Sequence, residues 1–293
     1  MKRVRIYLLG MMLLCGMLVA MVPLGISINN DRSLVIETDS SNLVVSDYYV
    51  GTSQDVSQKP RHYAVIVGIS DYKAIGDLNY CDEDANDWYS FLAAMGYDEI
   101  IVLGDDTNSY LKYDGIATEH NAKLALLDLV SKAGPKDTIA FISSGHGSGD
   151  SRGSSLLCMW DISAGEEGED GYFWDTEVAA ILELAVANQI FVFLDHCFAG
   201  GFGEELMNMP NSENVYFAST CDIMGMGWDV GEYQNGMWTY FFLEYTLVGI
   251  FNSEPRTAME SVFDIAEAVY PYPKGAHHPQ EYDGDPNNTF LLW

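Results

Sequence analysis

Thr138-Ile-Ala-Phe-Ile-Ser-Ser-Gly-His146-Gly147 and Gln189-Ile-Phe-Val-Phe-Leu-Asp195-His-Cys197-Phe-Ala-Gly-Gly201 decide how this chain folds. Each opens on an apolar run that reads as a buried strand and ends in a reactive side chain with glycine close behind. At the carboxyl end of a parallel strand, a side chain leaves the sheet and faces the crevice where open α/β folds place their chemistry. A histidine at one such end and a cysteine at another supply what a sulfur nucleophile needs. The thiol reacts as thiolate, and a nearby imidazole takes its proton. Taken singly, a strand-end cysteine reads as a small buried hydrophobe and a histidine beside glycine as a loop residue. Together, in matching places, His146 and Cys197 are candidate base and nucleophile.

Working outward, strands and helices alternate, the pattern of a parallel sheet with helices on both faces. Strands are predicted near 62–69, 99–103, 138–143, 189–194 and 214–218. Helices are predicted near 83–95, 118–132, 176–187, 237–249 and 256–269, with Thr118 as an N-cap. No internal repeat is visible, and the scattered Trp and Tyr residues are assigned to core. The roughly 230 residues after Arg61 fit one α/β domain.

The ends of the chain differ sharply in charge. The 293 residues carry a formal charge of −29. Lys2, Arg3 and Arg5 supply three of the 14 cations, and no acid precedes Asp31, so the remainder sets 11 cations against 43 acids. Such a surface repels nucleic acid. It suits divalent cations, a basic substrate, or plain solubility. Residues 1–28 pair the basic start with an apolar run, an export signal in which Gly25-Ile-Ser27 offers a cleavage site. The run from Ile6 to Ile28 also approaches the roughly 20 residues of a membrane helix, so a retained anchor is the alternative. Either way the body is expected outside the cytoplasm, secreted or held at a membrane. Residues 29–60 are polar and read as a linker or propeptide closing at Lys59-Pro60; the domain follows over 61–293. Four cysteines remain there, too few for a disulfide scaffold.

Cys197 follows His146 by 51 positions, near the spacing of about 50 in caspases. With the opening strand His62–Asp71 and the segment Leu78-Asn-Tyr-Cys-Asp-Glu-Asp84-Ala85, the chain resembles the caspase-like cysteine peptidase clan. Cys81-x-x-Asp84-Ala85 and Asp195-x-Cys197 are most similar to metacaspases; Phe198 and Ala199 depart from the usual His and Ser. The resemblance implies a caspase-like α/β sandwich, a mostly parallel central sheet with helices on both faces. It also implies an endopeptidase working with a Cys-His dyad.

In that chemistry Gly147 N–H and Cys197 N–H would hold the oxyanion, and glycine permits the close approach. Alternation in an extended segment turns His196 away from Cys197, into a supporting role. By the metacaspase pattern, Asp84 and Asp195 line the substrate pocket for Arg or Lys before the cut, since carboxylates hold a guanidinium through charge-assisted bonds. Asp82-Glu83-Asp84 also reads as an acidic helix start, and Asp195 as an ordinary strand-end acid. Aspartate specificity would need clustered arginines, and the domain has Arg61, Arg152 and Arg256 alone. The chemistry needs no cofactor. The resemblance further implies calcium as an activator, with Asp161, Asp175, Glu177 and Glu204 in the ligand positions; a solvated acidic loop is the bland account. Two other functions share the same residues: a non-catalytic caspase-fold binding module, and a transamidase using the same thioester.

Overall fold

Five apolar runs make the middle of one sheet, and their alternation decides what lies on either side. The computed structural model describes residues 59–105, 108–150, 152–272 and 275–293. The expected export segment 1–28 and the linker up to residue 58 lie outside the described residues. In chain order come β1 (His62–Gly68), α1 (Cys81–Met95), β2 (Glu99–Gly104), β3 (Gly115–Ile116), α2 (Glu119–Lys132) and β4 (Thr138–Ser144). A small antiparallel sheet follows, β5 (Gly147–Gly149), β6 (Ser155–Cys158) and β7 (Tyr172–Trp174). Then come α3 (Asp175–Leu182), β8 (Gln189–Asp195), α4 (Phe202–Met207) and β9 (Val215–Ser219). The hairpin β10 (Asp229–Val230) and β11 (Asn235–Gly236) leads into α5, which starts at Met237–Thr239 and continues in wider π-type turns over Tyr240–Ile250. The last elements are α6 (Met259–Val269) and β12 (Gln280–Asp283).

The main sheet runs β12-β9-β8-β4-β1-β2-β3, parallel throughout except for β12, which is antiparallel to β9. Side chains of a strand alternate between faces. Ile190, Val192 and Leu194 of β8 therefore join one core with α2, α3 and α4, while Phe191 and Phe193 join the other with α1, α5 and α6. The same alternation recurs in β1, β4 and β9. The second core is aromatic: Trp88 sits 4.9 Å from Phe193, which stacks on Trp238. Truncating a fully buried ring there, as in Phe191→Ala, costs about 3–5 kcal/mol. The result is the expected α/β sandwich, a mostly parallel sheet between two helical layers.

Local signals account for most boundaries. Thr118 accepts the Asn121 N–H at 3.2 Å and starts α2. Gly96, at φ 83°, closes α1. The third helix is shorter than predicted, because the carbonyls of Ile181 and Leu182 accept from Leu184 and Ala185 and tighten the last turn. The fifth predicted helix starts three residues late, at Met259. Among the described residues, no helix is long and apolar enough to cross a membrane.

Candidate active site

Strand register brings the two reactive residues together. β4 and β8 are parallel neighbours with Ser144 opposite Asp195. His146 and Cys197 each lie two residues beyond that pair and line one small crevice of about 40 Å³. The turn after the cysteine is sharp. Phe198 takes φ 61°, a left-handed conformation costing a side-chain-bearing residue about 1–2 kcal/mol. It bends the chain directly into a 3-10 turn at Ala199–Gly201.

His146 is held on several sides. Its ring Nε2 lies 2.9 Å from the Gly76 carbonyl, which can only accept, so Nε2 carries the proton and Nδ1 keeps the lone pair. Its backbone N–H donates to the Tyr72 hydroxyl at 2.7 Å, and the two rings sit 5.0 Å apart. Its carbonyl accepts from Cys158 N–H and from His196 Nδ1, both at 2.9 Å. By the same logic His196 carries its proton on Nδ1, and Nε2 accepts from the Ser143 hydroxyl at 2.8 Å. Burial lowers His196 to a pKa of about 4, so it is neutral and braces His146 from below. Alternation foresaw that supporting place.

The bond from Cys158 to the His146 carbonyl makes these two a hydrogen-bonded pair of the antiparallel ladder. Gly147, opposite Leu157, then falls at a non-bonded position, with its N–H turned away from β6. A Cβ on Gly147 would lie 2.0 Å from the Cys197 carbonyl oxygen, so only glycine fits against the cysteine. The Gly147 amide is thereby free to face a reacting oxygen.

All four cysteines of the domain are free, and Cys197 alone is partly exposed. Burial pushes Cys158 and Cys221 each up to about 12 and leaves them inert. Burial also raises Cys197, and the Asp195 charge adds to it. Cys197 therefore rests as a thiol and needs a base.

Beneath the dyad lie the two aspartates. Asp84 is fully buried; it accepts from the Ser144 hydroxyl at 2.5 Å and the Gly236 N–H at 2.9 Å. Asp195 accepts from the Thr239 N–H at 2.9 Å and its hydroxyl at 3.3 Å. A Cβ on Gly236 would lie 2.4 Å from Asp195 Oδ2 and 2.6 Å from Asp84 Oδ2, so both carboxylates converge on that glycine. Burial, then the Asp195 charge, holds Asp84 well above the ordinary range; burial pushes Asp195 up to about 6. Among the described residues no lysine or arginine pairs with either.

Asp229 lines the crevice together with Asp195, while Asp84 is buried behind it, and Asp229 escaped the sequence. Asp229 Oδ2 accepts from Asn79, while its Oδ1 is buried with no partner among the described residues. It stands on a two-residue strand that gives no periodic signal. The Gly76 carbonyl was equally out of reach, because every residue has one.

The four residues matched to calcium ligands are not brought together among the described residues. Asp161 caps α2 through the Glu119 N–H at 3.1 Å. Asp175 accepts from the backbone of Ser155 and Thr176. Glu177 accepts from Trp174 N–H and Lys123, and Glu204 is exposed. Asp161 Oδ2 is buried with no partner among the described residues, while the other three carboxylates are taken up by backbone donors, a lysine or solvent.

A cysteine and a histidine at neighbouring parallel strand ends, lining one crevice, are the arrangement that resembles caspase-fold cysteine peptidases. Residues 62–204 match the model of the metacaspase peptidase C14 domain. The chain is 28% identical over 156 residues to Metacaspase-1 of Mycosarcoma maydis, a match covering 49% of this chain and 37% of that protein. It is 34% identical over 90 residues to Metacaspase-1 of Meyerozyma guilliermondii, covering 30% and 21%. The matches thus span well under half of either relative. The crystal structure of protein GSU0716 from Geobacter sulfurreducens is similar in fold, with a TM-score of 0.54 and 17% identity over 76% of this chain and 93% of that one. Over residues 62–204 the chain is thus similar to the metacaspase peptidase C14 domain, and its fold is caspase-like.

Proposed function

We propose that this protein is an exported cysteine endopeptidase that cuts after arginine or lysine, with Cys197 as nucleophile and His146 as base. One observation carries this reading: in-register ends of β4 and β8 bear His146 and Cys197 above a buried acid pair that no lysine or arginine among the described residues neutralises. The substrate's basic side chain enters between Asp84 and Asp195 and supplies the missing positive charge. His146 Nδ1 takes the thiol proton, and Cys197 Sγ attacks the carbonyl carbon. The N–H groups of Gly147 and Cys197 hold the oxyanion. The imidazolium, fixed through Nε2 by Gly76, returns the proton to the leaving amine, and water then releases the acyl group from sulfur. Residues 1–28 direct export, and residues 29–60 act as linker or propeptide.

Cys197→Ala is expected to lose peptidase activity by about 10⁴-fold or more while keeping its fold. Cys158→Ser and Cys221→Ser should stay active. Circular dichroism beside turnover of an arginine peptide checks all three; near-normal turnover by Cys197→Ala removes the nucleophile assignment. Product masses with an added amine distinguish hydrolysis from transfer.

A further inference from the structure

Away from the crevice, Lys123 sits one turn after Glu119 on α2. Its ammonium pairs with Glu119 at 2.5 Å, Glu177 at 2.7 Å and Glu169 at 2.8 Å. These acids come from α2, α3 and the loop between β6 and β7. One oxygen from each lies within 4.8 Å of the others, the spread that a bound metal ion would accept. An ammonium has three donors and no acceptor, so three carboxylates satisfy it completely. Two of the three remaining oxygens are used as well. Glu119 Oε2 accepts the Gly171 and Asp170 N–H groups, and Glu177 Oε2 accepts that of Trp174. The Lys123 side chain is 16% exposed and lies 5.8 Å from the Phe173 ring centroid. This network ties the acid-rich stretch 161–177, the one matched to calcium ligands by resemblance, to α2.

We propose that Lys123 is a built-in cation: it does in this chain what a divalent ion would do between these acids, so the domain needs no calcium to order the 161–177 segment. Without the ammonium, one buried and two partly exposed carboxylates face one another, and a divalent ion becomes the best remedy.

Thermal unfolding of the wild-type chain, Lys123→Met and Lys123→Arg, each in chelator and in about 5 mM Ca²⁺, tests this without reference to peptidase activity. The wild-type Tm should be the same in both. Lys123→Arg, which keeps the charge, should also ignore calcium. Lys123→Met should melt lower in chelator and recover roughly 3–6 °C with calcium, the shift expected for a ligand at about ten times its Kd. Terbium emission sensitised by Trp174 should appear in Lys123→Met alone. If Lys123→Met does not fold in chelator, refolding it with calcium decides: recovery supports the built-in cation, and failure under both conditions overturns it. A calcium-dependent Tm in the wild-type chain, or a folded Lys123→Met that ignores calcium and terbium, also overturns it.

Discussion

Two sets of carboxylates, one gathered around Lys123 of α2 and the other formed by Asp84 of α1 and Asp195 at the end of β8, are treated in opposite ways. The glutamates around Lys123 contain their own cation and are satisfied by it. Asp84 and Asp195 are more deeply buried, face each other, and receive only neutral donors from Ser144, Gly236 and Thr239. Burying like charges without a counter-ion is costly, and their raised pKa values express that cost. A chain able to supply a lysine in one place and leaving it out in the other separates structure from recognition. The glutamates hold the fold; under the proposed function, the aspartates receive a cation that arrives from outside.

The largest expected effects break that symmetry directly. Asp84→Asn or Asp195→Asn should lower kcat/KM for arginine substrates by about 30- to 1000-fold, since losing one partner of a desolvated charge contact costs about 2–4 kcal/mol. Neither change should lower Tm much, because each removes one of two repelling charges. Glu119→Gln should do the reverse, losing about 2–3 kcal/mol of stability while kcat/KM holds. Matched melting and kinetic measurements on the three variants check this; equal effects on both properties in all of them would erase the distinction.

A smaller effect concerns pH. Asp195 binds its proton more tightly folded than unfolded, so the stability it contributes is full below about 4 and is lost as pH rises through about 6. His196 behaves oppositely: its contribution is present above 6.5 and is lost as pH falls through about 4. The two slopes oppose each other over one window in the wild-type chain. Asp195→Asn removes the first, so its stability relative to wild type should rise between pH 4 and 7, on the order of 3 kcal/mol. Urea unfolding across that range reads it out, and a constant difference would contradict the burial argument. The smallest change is expected from Asp229→Asn, whose Oδ2 already serves Asn79: about a tenfold loss in kcat/KM for arginine substrates, or roughly 1.4 kcal/mol.

Much of this architecture was legible because the central strands are continuous apolar runs, buried on both faces, that end where function begins. Thr118, the strand ends at His146 and Cys197, and the supporting place of His196 were all readable from local pattern. Asp84 and Asp195 came from resemblance, and their convergence on Gly236 required α1, β8 and the β10–β11 hairpin together. The hairpin, β12 and the β5–β7 sheet are too short or too polar to announce themselves. Glu119 and Lys123 stand four apart on one helix, yet nothing local ties them to Glu169 and Glu177 across more than 40 residues. The acid-rich stretch by itself therefore gives no sign of the lysine that pairs with it.

The central claim is that the uncompensated acid pair selects a positively charged side chain for the Cys197–His146 dyad. The most direct measurement compares kcat/KM for two fluorogenic peptides identical except for arginine or its neutral isostere citrulline before the cut, with Cys197→Ala as the blank. Arginine should be preferred by about 100-fold or more, and the blank should cleave neither. Equal rates for the two peptides, or faster cleavage of an aspartate analogue, would contradict it.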